Sequence, residues 1–322
     1  MITVSILLLR NAVLASIADA GYVFTMVNEF LRASGKEPLF RVRLLGTSGE
    51  VSLGEWCSLR PDVILEEAGP SDLIIIPSLS GDMMSATFLN KEYVGWIVGQ
   101  YRNGAAVASL CTGAFLLAFS GLLKGRLCTT HWAYANEFRH FYPSVTLVDE
   151  RVITDQNGLY SSGGSNAYWN LLLHLVEKYT DRAMAIRAAK YFVIDMGREV
   201  QSSFIIFHGL KDHPDEAVRE SQERIELNYR DRLTVDQLAD ACHLSRRTFE
   251  RRFKKATRHS VFEYIQRVRV EAAKQKLEIG RQTVQDIMYD VGYADIQTFR
   301  DVFKDITGMT PLDYRNKYNR EV

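Results

Sequence analysis

The strongest constraint on this chain is a pattern that occurs twice. Residues 234–245 and 283–293 each begin with a threonine, carry an apolar pair at helical spacing and reach a turn at the same offset. Each is followed by two phenylalanines four apart, Phe249 and Phe253 in the first copy, Phe299 and Phe303 in the second. Side chains at i and i+4 share one face of a helix. Each copy is therefore expected as two short helices joined by a tight turn, with the second helix anchored by one stripe. In the first copy, Val235, Leu238 and Ala239 face inward, Leu244 fills the turn and Ser245 supplies a cap. The face left over presents Arg246, Arg247, Glu250, Arg251 and Lys254. A helix held by one face, with guanidinium and ammonium groups on the other, has the shape and donors to enter a DNA major groove. A solvated basic face on a helical bundle would carry the same charges; duplication with matching caps and turns favours DNA. Between the copies, residues 262–278 are expected as a helix roughly 25 Å long, which sets the two second helices near the ~34 Å repeat of the duplex.

The formal net charge of zero conceals an asymmetry. Residues 216–322 hold 21 Lys+Arg against 18 Asp+Glu, and the basic residues from Arg246 to Arg258 cluster with Glu250 the only acid among them. Upstream, the pattern changes. Short apolar runs at 3–9, 40–45, 72–77 and 105–110 alternate with helical periodicity at 17–33, 92–102 and 112–120, as in a parallel α/β sheet. A hairpin is expected at 152–155 and 159–161, then helices at 166–179 and 182–196. The expected organisation is an α/β domain over 1–205, with a flavodoxin-like parallel sheet between helices. A charged linker with Pro214 follows over 206–218. An all-α domain over 219–322 then holds helix-turn-helix units at about 234–255 and 283–304. No apolar run reaches the ~18–20 residues of a membrane span, and residues 1–9 lack the basic leader of a signal peptide. Cys57, Cys111, Cys128 and Cys242 have no paired spacing for zinc or a disulfide framework. A cytoplasmic protein without metal or cofactor is expected.

The segment Ala108-Ser109-Leu110-Cys111-Thr112-Gly113-Ala114-Phe115 is a strand, a cysteine and a small-residue helix start. A nucleophile elbow has this form, and the helix dipole would favour a thiolate. His131, after Thr129-Thr130, is the candidate base. A cysteine at a strand end is equally consistent with a small buried hydrophobe. Trp96, Trp132, Tyr134 and Trp169 are candidates to cage a cationic metabolite.

Residues 225–318 resemble the AraC/XylS-type DNA-binding domain. The resemblance rests on Gly292-Tyr293, Phe299, Phe303-Lys304, Thr307-Gly308-Met309-Thr310-Pro311 and Tyr314-Arg315, with Leu244 to Lys254 as the first-half counterpart. It implies that Arg247, Glu250, Arg251, Gln297 and Thr298 face base edges; Arg246, Lys254, Arg300 and Lys304 complete the expected DNA-binding set. Asp301 stands where the second unit usually has an arginine, and Arg258 and Val261 replace the usual glycine and proline. Residues 1–180 resemble the ThiJ/PfpI superfamily, whose fold is shared with class I glutamine amidotransferases. The marks are Ile74 to Pro77, Cys111-Thr112-Gly113, Thr129-Thr130-His131 and Ser161-Ser162-Gly163-Gly164. Active members place a histidine directly after the cysteine or a glutamate from an early helix beside it. Here Thr112 follows Cys111, and residues 19–24 offer no glutamate. The resemblance therefore implies a retired active site in which Cys111, Thr112, His131 and Gly81 hold a small, nitrogenous effector, with no catalytic residue. The partners it implies are operator DNA, a second copy of the chain bound through residues 1–205, and RNA polymerase. Two alternatives are a Cys-dependent amidase or hydratase fused to a DNA-binding domain, and a redox sensor, which needs Cys111 exposed and of low pKa.

Overall fold

The computed structural model describes residues 1–53, 57–211 and 213–319. It divides into two compact units, Met1–Gln201 and a second from Ser202 onward. The first is α/β and the second helical.

Seven strands form the main sheet of the first unit: β1 (Ile2–Leu7), β2 (Phe40–Gly46), β3 (Val63–Ile64), β4 (Leu73–Ile76), β5 (Ala106–Ser109), β6 (Ile153–Gln156) and β7 (Leu159–Ser162). Their order is β6-β7-β5-β4-β1-β2-β3. Every pairing is parallel except the β6–β7 hairpin. β4 and β5 are buried at every position, as expected of parallel strands covered on both faces. The chain runs outward from β1 to β3 and returns on the other side of β1 as β4. Such a switch point opens a crevice beyond the carboxyl ends of the strands. There the Val13 N–H donates to Ser78 O and the Ser80 N–H to Asn11 O, both at 2.8 Å, tying the loops after β1 and β4 together.

Several elements depart from the sequence expectation. The helix expected at 112–120 begins as a 3-10 turn over Cys111–Gly113, and Ala114–Phe119 is the α-helix. The helix expected at 182–196 stops at Phe192, because Val193 adopts a left-handed backbone with φ of 56°. β3 is too short to carry a periodic signal, and the helices Met83–Leu89 and Ala135–Phe141 were not foreseen.

In the second unit the duplication extends to individual hydrogen bonds. Thr234 and Thr283 each form a capping box, with Gln237 and Asp286, satisfying helix-start N–H groups reciprocally. Ser245 caps the helix Arg246–Thr257, and Asp295, fifty positions later, caps Ile296–Thr307. Thr257 and Thr307 close these helices alike, donating to Phe253 O at 2.8 Å and Phe303 O at 2.7 Å. Two separate cores result, one around Phe249, Phe253 and Tyr264, the other around Phe299, Phe303 and Tyr314. The central helix Val261–Ile279 serves both: Val261, Tyr264 and Ile265 enter the first core, Val270, Ala273 and Leu277 the second. It is two residues longer than expected, roughly 28 Å.

The boundary falls at Gln201/Ser202, four residues before the expected one. The residues expected as a linker, where described, are fastened to the second unit. Phe207 packs on Tyr264 with ring centroids 5.1 Å apart, and Lys274 Nζ donates to Ile205 O at 2.6 Å. Asp215 caps Glu216–Leu227 and accepts two hydrogen bonds from Arg252, at 2.7 and 2.8 Å. Asp212 of that segment and residues 320–322 lie outside the described residues.

Arg258 ends its helix in the left-handed conformation, φ 62°, where its counterpart Gly308 has φ 76°. A side chain bearing Cβ costs about 1 kcal/mol there relative to glycine. Arg258→Gly is expected to stabilise the second unit by up to about 1 kcal/mol, measured by urea unfolding of the full chain.

Candidate functional site

The two helices that close the repeats present their free faces to solvent. Phe249 and Phe253 are fully buried, while Arg246, Arg247, Glu250, Arg251 and Lys254 are exposed. The exposed residues are not equivalent. Arg246 is held by Asp236 at 3.1 Å and Glu250 at 3.4 Å. Arg247, Arg251 and Lys254 have no side-chain hydrogen bond or ion pair among the described residues, and their spacing of four and three sets them on one stripe. In the second helix, Gln297, Thr298, Arg300, Asp301 and Lys304 are all exposed. There Gln297 Nε2 donates to Asp301 Oδ1 at 2.8 Å, and Thr298 Oγ1 donates to the capping Asp295 at 2.7 Å. Arg300 and Lys304 remain uncommitted among the described residues. Asp301 thus occupies the place of Arg251 and engages its own neighbour, so the first helix carries the stronger anion-binding face.

The second candidate site centres on Cys111, which follows β5 with φ of 52°. That strained backbone is the geometry of an elbow. Gly113 makes it possible: a Cβ there would lie 2.5 Å from Pro77 O and 2.7 Å from Ile76 O. The sequence marks nearby have direct roles. Ser162 Oγ accepts from the Cys111 N–H at 3.1 Å, and Thr130 Oγ1 donates to Cys111 O at 3.0 Å. Thr112 Oγ1 donates to Leu79 O at 2.6 Å and accepts from Leu79 N at 2.8 Å, so this hydroxyl is engaged internally. Gly81, with φ of 84°, follows two residues later and is exposed.

Cys111 is 4% exposed, and burial pushes its thiol pKa up to about 11. The Thr112 N–H and the Ser78 hydroxyl pull the other way and do not prevail. The thiolate expected from the helix dipole is thus disfavoured by desolvation. His131 is half-buried, and burial lowers its proton affinity. Its Nδ1 accepts from the Ala133 N–H at 3.1 Å, leaving Nε2 as the protonated nitrogen, a donor and not a base. Among the described residues no hydrogen bond joins His131 to Cys111. Trp132 lies tilted against His131 and Tyr134 meets it edge-on, whereas Trp169 packs on Phe192 with centroids 4.8 Å apart and Trp96 lies against the main core. Among the described residues no ring contact joins Trp96 or Trp169 to the other two cage candidates.

Three site residues escaped the sequence reading. Asp19, an aspartate where a glutamate was sought, accepts from the Tyr168 hydroxyl at 2.6 Å. Burial first, then Asp19 and the nearby Cys111, raises the Tyr168 pKa. Gln201 is 3% exposed, and its amide donates to Thr130 O at 3.0 Å and Asp149 O at 2.6 Å and accepts from Gly164 N at 2.7 Å. Gly163 leaves the room, since a Cβ there would meet the Gln201 amide at 2.5 Å. Only long-range contacts identify these roles.

Residues 28–178 match the DJ-1/PfpI family and residues 238–317 match a helix-turn-helix domain. A DJ-1/PfpI domain over residues 28–178 is thus followed by an AraC-type helix-turn-helix domain over residues 238–317. Both domains together are similar to the HTH-type transcriptional regulator GbdR of Pseudomonas aeruginosa, 27% identical over 316 residues, 97% of this chain and 84% of that protein. Isonitrile hydratase of Pseudomonas putida is 30% identical over 122 residues, 37% of this chain and 50% of that protein. A ThiJ/PfpI family protein of known structure from Pseudomonas syringae shares the fold, with a TM-score of 0.50 at 15% identity over 74% of this chain and 89% of that one.

In the DJ-1/PfpI domain the raised pKa of Cys111 has a measurable sign. The folded thiol stays protonated above ~8.5, where an unfolded thiol ionises, so folded-state stability falls as pH rises from there toward 11. Alkylation of Cys111 by iodoacetamide, followed by mass spectrometry, is expected to remain slow at pH 8 and to accelerate only toward pH 11. Rapid labelling at neutral pH would mean that the thiol is open to solvent.

Proposed function

We propose that this protein is a sequence-specific transcription regulator that binds operator DNA through the AraC-type domain and responds to a small molecule held by the DJ-1/PfpI domain. The observation that carries the reading is the uncommitted Arg247, Arg251 and Lys254 stripe, opposite a phenylalanine anchor, in a unit built twice. A guanidinium on that stripe can bind guanine O6 and N7 in a bidentate way. The second helix contributes Arg300 and Lys304, chiefly to phosphates. Relatives such as GbdR carry the name of transcriptional regulators, which supports this reading over an enzymatic one. The effector site is formed around Cys111, Thr112, His131 and Gly81, with a nitrogenous metabolite as the expected occupant. A neutral thiol without a hydrogen-bonded base is poorly equipped for nucleophilic turnover. Pairing of two chains through the first domain would join two half-sites and raise avidity. Contact with RNA polymerase and a cytoplasmic location follow from the same role; among the described residues no helix is long and apolar enough to cross a membrane.

The operator is found by selecting bound duplexes from a randomised pool. Arg251→Ala is expected to weaken binding to the selected sequence about tenfold and to relax its preference for guanine, with the melting temperature unchanged. Unchanged affinity would remove Arg251 from the interface.

Asp301→Arg is expected to tighten operator binding and to steepen its salt dependence by about one released counterion. If neither changes, the second helix does not lie on the duplex.

A metabolite screen by thermal shift on the full chain tests the effector site. Cys111→Ser is expected to retain operator binding and to change the effector concentration for half-maximal response, with the effector recovered intact. Turnover of a bound metabolite that disappears in Cys111→Ser would overturn the non-enzymatic reading, and the isonitrile hydratase likeness makes isonitriles the first compounds to assay.

A further inference from the structure

Away from Cys111, the first unit contains a cleft of about 610 Å³ whose lining includes Arg151, Asn170, His174, Glu177, Arg182 and Glu199. One wall is the helix Tyr168–Tyr179. It buries Leu171, Leu172, Leu175 and Val176 but places Asn170, His174 and Glu177 at i, i+4 and i+7 as a polar stripe. The opposite wall is the segment before the end of the unit. It is tied down by an isolated antiparallel bridge between Arg151 and Val200 and by the Val152 N–H, which donates to Glu199 O at 2.9 Å. Both walls are therefore fixed by main-chain structure.

Some of the polar groups are already committed. Arg182 pairs with Glu177 at 2.6 Å, and His174 meets Asp155 at 3.0 Å. Others are not. The Arg151 guanidinium has no hydrogen bond or ion pair among the described residues. Asn170 is 8% exposed, and its side-chain amide likewise has no partner among the described residues. Solvent reaches the Asn170 amide, so its donors and acceptor are open to water or to a ligand. Here it opens on a cleft beside a free guanidinium, the group best suited to grip a carboxylate by two parallel hydrogen bonds. Arg198, itself engaged, lines the same space with Glu177, which Arg182 neutralises, and Glu199, uncommitted among the described residues, opposes a second negative charge.

We propose that this cleft binds a small monocarboxylate, gripped by Arg151 and hydrogen-bonded by Asn170. This site is separate from the Cys111 site and does not depend on the DNA-binding reading. Nuclear magnetic resonance of the full ¹⁵N-labelled chain tests it, with propionate, propylamine and inorganic phosphate as probes at matched ionic strength. Asn170→Leu assigns the Asn170 side-chain signal. Propionate is expected to shift that signal saturably, with propylamine and phosphate producing no saturable shift. Arg151→Gln is expected to weaken propionate about tenfold at unchanged melting temperature, and Arg151→Lys to weaken it by less. The proposal fails if propionate gives no saturable shift, if phosphate or propylamine does as well, or if folded Arg151→Gln and Arg151→Lys both bind propionate as the original chain does.

Discussion

The burial of two phenylalanines in the second helix of each repeat is the contact on which the second unit depends. Phe249 and Phe253 fix one side of their helix so completely that the opposite side is released from packing duties. A helix needs only a stripe of about 100° to be held; the remainder can be chosen for a ligand. The same solution at Phe299 and Phe303 gives the second helix the same freedom, but Asp301 and Gln297 use part of it on one another. The two copies therefore share a scaffold while differing in what they offer to DNA. Because the central helix enters both cores, the separation of the two faces is set by a continuous hydrogen-bonded rod.

The Cys111 site is governed by desolvation. The elbow places the thiol at the carboxyl edge of a parallel sheet, next to a helix start that would ordinarily favour its anion. The surrounding burial outweighs that preference. A group of this kind is suited to contact with a bound molecule and poorly suited to attack on one. Tyr168 and Asp19 add a polar wall, with the phenol donating to the carboxylate.

What could be read in advance followed from local regularity. The Phe249/Phe253 and Phe299/Phe303 spacings, the threonine caps and the Leu73–Ile76 and Ala106–Ser109 runs each declare their structure within a few residues. The misses have a common cause. Val193 ends a helix by its backbone conformation alone, with no glycine or proline to announce it. Asp19 and Gln201 acquire their roles from partners far along the chain, the Tyr168 hydroxyl and the Thr130 carbonyl. The pairing of Arg246 with Asp236 and Glu250 is another such case: the basic cluster was visible, but which of its members are free was not.

Gln201 also constrains how this protein can be recombined. Its side chain fills the space left by Gly163 and satisfies main-chain groups at Thr130, Asp149 and Gly164, while the next residue already belongs to the second unit. A chimera that replaced the second unit from residue 201 onward would remove the filler from a glycine-lined hole and leave those groups without a partner. A cut one residue later keeps them intact. Gln201 therefore belongs with the first unit in any such exchange, because its partners all lie there.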